Sequence, residues 1–135
     1  TPLVIDLTSL WAGPLAGGLL DECGARVVKV EGVGRPDGAR CGPAEFFDLM
    51  NAGKRCIALD LENRDHIAIL KGLIANAALV LEGSRPRVME RLGIDPVDVA
   101  SRGTSWVSIT AYGRSSPDRN RVGFGDDVAV SALVA

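Results

Sequence analysis

Short runs rich in valine, isoleucine and leucine alternate along this chain with segments of helical character, and that alternation restricts the fold more than any other feature. Residues 3–7, 26–31, 55–61, 78–82 and 106–110 read as strands. Helical segments separate them. The first starts at Gly13-Pro14, where a proline early in a helix gives up no hydrogen bond, and runs to about Cys23 with Gly24 as its stop. A Gly/Pro-rich loop spans 32–43, and 45–51 reads as a short helix. Asn63 caps a helix whose apolar positions Ile67, Leu70, Leu73, Ile74 and Ala77 follow helical spacing. Short helices follow, one ending at Gly93 and one opened by Asp95-Pro96, and another starts near Asp126 after a polar loop. Strands separated by helices pair in parallel through right-handed crossovers, and apolar strands need cover on both faces. The expected fold is a Rossmann-like α/β domain: an open, mostly parallel sheet with helices on both faces. Such sheets bind ligands beyond the carboxyl ends of their strands.

A chain of 135 residues fits one domain. It should bury about two-thirds of its surface, enough to need no disulfide or metal staple. A net charge of −2 leaves no basic excess for nucleic acid. The most apolar stretch, 67–81, is interrupted by Lys71 and Asn76 and is too short to cross a membrane. Three cysteines without a C-x-x-C pair argue for reduced thiols in a cytoplasmic protein rather than a zinc site. Cys23 and Cys56 read as buried small hydrophobes, and Cys41 as a loop thiol. The chain begins at Thr1 and ends in the apolar run 128–135, which reads as the N-terminal part of a longer protein.

Candidate sites each have two readings. Gly13, Gly17 and Gly18 do not make a dinucleotide fingerprint, so close helix–sheet packing is the preferred reading, although Glu31 stands where a ribose-binding acid would. Gly53-Lys54 lacks the spacing of a P-loop. His66 reads as solvated or lightly packed, and Asp126 and Asp127 as capping residues more than as a catalytic pair. Arg85, Arg87 and Arg91 cluster after the fourth strand, where they would hold phosphates or simply be solvated beside Glu90. From position alone those two readings stand level.

In order along the chain, Val4-Ile-Asp-Leu7 with Ala12-Gly-Pro14, Val27-Val-Lys-Val-Glu31, Asn51-Ala-Gly-Lys-Arg55 with Ala58-Leu-Asp-Leu61, Glu82 through Arg85-Pro86 to Gly93, and Ile109 through Gly113 to Arg121-Val-Gly-Phe124 resemble the N-terminal region of family III CoA-transferases, the CaiB/BaiF family. The resemblance implies an acyl-CoA:carboxylate CoA-transferase. Its substrates would be acyl-CoA and a carboxylic acid acceptor, with coenzyme A as substrate and no permanently bound cofactor. It implies CoA contacts at Leu59, Asp60, Leu61, Glu62, Gly83, Ser84, Arg85 and Arg91, with Trp11 and Ala12 at the pantetheine and thioester end. The family's basic residue after the second-strand acid is replaced here by Gly32, with Arg35 as the nearest substitute.

By the same resemblance, an aspartate attacks the acyl thioester, and it falls beyond residue 135. The histidine of the family's racemases is matched by Phe124, which transfers no proton. The full-length family protein is a homodimer of interlocked rings. Other readings are an acyl-CoA racemase, a non-catalytic CoA-binding or assembly module, and a Rossmann-like domain for another nucleotide.

Overall fold

The computed structural model describes residues 1–133; Val134 and Ala135, the end of the apolar run, lie outside the described residues. The elements run β1 (Leu3–Leu7), α1 (Ala12–Glu22), β2 (Arg26–Gly32), α2 (Ala44–Asn51), β3 (Arg55–Leu59), α3 (Arg64–Ala75), β4 (Leu79–Glu82), α4 (Pro86–Leu92), α5 (Pro96–Ser101), β5 (Ser105–Ser108) and α6 (Gly125–Leu133). The 32–43 loop contains a 3-10 turn at Gly38–Cys41, capped by Asp37, which the density of glycine and proline concealed. β3 stops at Leu59 and β5 at Ser108, short of the expected ends.

All five strands are parallel, in the order β3-β2-β1-β4-β5. The chain builds outward from β1 through β2 to β3, then crosses back to add β4 and β5 on the other side. The crevice between β1 and β4 is therefore the point where the winding reverses, the ligand position of doubly wound sheets.

Two cores cover the two faces. On one, Ile5, Val30, Leu59 and Val80 meet Leu70 and Ile74 of α3 and Met89 and Leu92 of α4. On the other, Val4, Val27 and Leu81 meet Ala16 and Leu20 of α1. Alternate residues of a strand face opposite sides. Asp6 and Lys29 thus share the α1 face with Val4 and Val27, and both are fully buried.

Glycine lets α1 lie close to the sheet. A Cβ on Gly13 would stand 2.2 Å from the Thr8 side chain, and one on Gly17 would stand 2.9 Å from Asp6 Oδ2. The expected packing role of these glycines is what the structure shows. Two cysteines differ from expectation: Cys23 and Cys56, read as buried, are exposed, whereas Cys41 is exposed as a loop thiol would be. Cys23 follows the last turn of α1, and Cys56 lies on β3, the outermost strand on its side, where one neighbour is missing.

Candidate functional site

Parallel strands bring all their carboxyl ends to one edge. Residues 8–11, 33–35, 60–62, 83–85 and 109–110 line it. The loops after β1 and β4 touch across the crevice, since a Cβ on Gly83 would lie 3.6 Å from Thr8. Trp11 and Ala12 on one side and Gly83, Ser84 and Arg85 on the other therefore flank the reversal point. The Leu59–Glu62 segment stands three strand spacings from β4, about 14 Å. Arg91 lies in the last turn of α4, about 9 Å along the helix axis from Arg85. The structure thus joins the β1 and β4 groups and sets Leu59–Glu62 and Arg91 apart from them.

Trp11 is 65% exposed and meets Phe46 edge-on at 6.4 Å between ring centroids. Arg85 is half-buried and Arg91 exposed, and neither has a carboxylate partner within 4 Å among the described residues. Arg87 is exposed too, its backbone N–H donating to Asn120. Glu90 pairs with Arg119, not with this cluster. Asp60 is exposed, and its N–H donates to His66 Nδ1 at 2.9 Å, so His66 steadies the loop after β3. Gly32 bridges to Arg35, which is exposed. A broad open concavity lies elsewhere, between Pro86, Trp106 and Arg114.

Beneath this edge runs a set of buried charges that motif reading missed. Lys54 Nζ donates to Asp6 at 2.8 Å, to the Pro14 carbonyl at 2.6 Å and to Asn51 at 3.0 Å. That spends its three protons on structure and leaves none for a phosphate. Asp6 also accepts the Thr8 N–H and hydroxyl. Lys29 donates to the Thr8 carbonyl and pairs with Asp37, each at 2.8 Å, and both side chains are wholly buried. Asp37 accepts the N–H groups of Leu10 and Ala39. Burial alone would push the Asp37 carboxyl up, but the Lys29 ammonium and the two N–H donors together hold it below its ordinary value.

Glu31 is engaged as well. It takes Arg40 through two hydrogen bonds, at 2.9 and 2.7 Å, and accepts the Asp37 N–H. The Arg40 guanidinium, which also stacks 3.8 Å over Phe47, is the main cause that holds Glu31 below the usual carboxylate value. Both carboxylate oxygens are thus engaged within the fold, Oε1 twice and Oε2 once. Glu82, also fully buried, accepts the Ser84 N–H and hydroxyl on one oxygen and Ser108 and Arg114 on the other. It thereby fixes the Gly83–Arg85 turn. Asp126 and Asp127 occupy the first turn of α6, and Asp127 accepts the Phe124 N–H, as capping requires.

A sequence signal for these charges did exist. Asp6, Lys29 and Glu31 interrupt apolar strands of a sheet covered on both faces, where a charge is tolerated only when paired. Their partners lie up to 48 residues away and follow no fixed spacing.

The model for CoA-transferase family III matches residues 3–134. The probable fatty acyl-CoA transferase Rv3272 of Mycobacterium tuberculosis is 36% identical over 96% of this chain and 35% of its own length. The succinyl-CoA--D-citramalate CoA-transferase of Chloroflexus aurantiacus is 30% identical over 90% of the chain and 33% of its length. A crystal structure of Rv3272 superposes with a TM-score of 0.81 at 36% identity, covering 98% of this chain and 38% of the other. A CaiB/BaiF family protein from Brucella suis superposes with a TM-score of 0.84 at 26% identity, covering 96% and 38%. The chain thus spans about a third of the length of these relatives. Matched along its length by the family model and sharing this sheet with solved members, the chain belongs to CoA-transferase family III.

Proposed function

We propose that residues 1–135 are the CoA-binding domain of an acyl-CoA:carboxylate CoA-transferase. The observation that carries this reading is a cluster of arginines, Arg85, Arg87 and Arg91, that have no carboxylate partner among the described residues and lie on the turn and helix that follow β4 at the reversal point of a family III sheet; the resemblance picks out Arg85 and Arg91. CoA is long and carries phosphates at separated places. Arg85 and Arg91, about 9 Å apart along α4, hold different phosphate groups of one extended ligand. Gly83 and Ser84 bring backbone close to it, Leu59, Asp60, Leu61 and Glu62 line its adenine end, and Trp11 and Ala12 face the pantetheine and thioester. The acceptor is a carboxylic acid, in keeping with the name of the Chloroflexus relative, a succinyl-CoA--D-citramalate CoA-transferase.

In the reaction, a carboxylate attacks the thioester carbonyl, forming a mixed anhydride and expelling CoA as thiolate. That carboxylate belongs to sequence matching the other two-thirds of the relatives. Phe124 at the racemase position supports transfer over proton abstraction, because a phenyl ring carries no exchangeable proton.

The test is calorimetric titration of the chain with CoA, repeated for Arg85→Ala and Arg91→Ala. Each lost charge-assisted contact should weaken binding by about 1.5–3 kcal/mol. Affinity unchanged in both variants would overturn the assignment of these arginines.

A further inference from the structure

The loop between β1 and α1 contains a backbone anomaly next to the residue assigned to the thioester end. Leu10 has φ +71°, the only positive φ at a residue other than glycine among those described. A side chain with a Cβ resists that conformation, and such residues persist where surrounding structure over-determines them. Here the surroundings are specific. Asp37 Oδ1 accepts the Leu10 N–H at 2.9 Å, and Lys29 Nζ donates to the Thr8 carbonyl at 2.8 Å. Lys29 and Asp37 are ion-paired with each other, and neither side chain reaches solvent. Asp6 holds the Thr8 N–H from the same side. A Cβ on Gly38 would stand 3.0 Å from Leu10 Cδ2, so glycine there leaves room for the turned side chain. Only then does the chain enter α1, with Trp11 as its exposed first flanking residue and no side-chain cap to fix it.

We propose that Lys29 and Asp37 act as a positioning pair that clamps Thr8–Leu10 and so sets where Trp11 and Ala12 present themselves to the thioester end of CoA. This rests on the CoA reading of the site. The pair touches no ligand itself. It lies below the edge, reaching it only through the Thr8 carbonyl and the Leu10 N–H. A merely structural ion pair would affect stability without moving Trp11.

The chain has two tryptophans, Trp11 and Trp106. Labelling with 5-fluorotryptophan gives one 19F resonance for each, assigned with Trp11→Phe. In Asp37→Asn the Trp11 resonance should shift or broaden while that of Trp106 stays in place. If the loop then holds the clamped geometry about a tenth of the time, the apparent CoA dissociation constant rises about tenfold. A folded variant with an unmoved Trp11 resonance would overturn the proposal. Should the variant fail to fold, hydrogen exchange of the Leu10 amide in the unaltered chain decides. Protection despite its exposed position supports the clamp, and exchange at the rate of an open loop refutes it. The spectroscopic and exchange readouts need no ligand, so a chain that binds no CoA would refute the functional reading while leaving the clamp to be judged on its own.

Discussion

Lys54 illustrates what a single residue does beneath this surface. Its ammonium is fully buried and bonded to Asp6, Asn51 and a carbonyl of α1, tying β1, α1 and the end of α2 together. Removing one partner of such a pair leaves the other charged and desolvated. Lys54→Met should therefore lower stability by about 3–5 kcal/mol in urea denaturation, and Asp6→Asn in the same chain should restore part of it. Glu31 and Asp37 make a further residue-level prediction. Both carboxyls are held below their ordinary values of 4.5 and 3.8. Their contribution is complete above those values and is lost as pH falls below them toward the depressed folded-state values, where the native carboxylates finally protonate. Unfolding midpoints measured from pH 7 downward should thus fall in acid, and Arg40→Gln should flatten the part owed to Glu31. None of these pairings was legible beforehand. Lys29 between valines in β2 signals a buried charge in a sheet covered on both faces, but nothing in its spacing names Asp37 and the Thr8 carbonyl as its partners.

At the scale of elements the sequence was more open. Each strand and each α-helix corresponds to a segment of apolar period or a stop signal, as at Gly24 and Gly93, both with positive φ. Pattern could not supply strand order, because pairing joins segments far apart in the chain, nor the turn at Gly38–Cys41, which depends on Asp37 as its cap. Glycines in helices separate packing from propensity. Gly13 faces Thr8 with no room for a Cβ, so Gly13→Ala should destabilise by about 1–3 kcal/mol. Gly72 in α3 has nothing within 4 Å of its would-be Cβ, so Gly72→Ala should stabilise by about 0.4–1 kcal/mol. Denaturant midpoints for the two variants should move in opposite directions.

For the whole molecule, the doubly wound order puts the reversal point, where such sheets take their ligands, at the β1–β4 crevice but names no ligand. Local chemistry bears on that choice. A dinucleotide would need glycines that free backbone N–H groups after β1 and an acid at the end of β2 to receive a ribose. Here Pro14 has no N–H, Gly13 and Gly17 are used for packing, and Glu31 is occupied by Arg40. The arginines after β4 offer charge for phosphates instead. The resemblance that located Arg85 and Arg91 was readable in the sequence, but their lack of carboxylate partners was not, since Glu90 lies close by in the chain and yet turns to Arg119. The measurement that bears most directly on this account is parallel calorimetry of the chain with CoA and with NAD. The account predicts saturable heat with CoA and none with NAD. Binding of NAD without binding of CoA would contradict it.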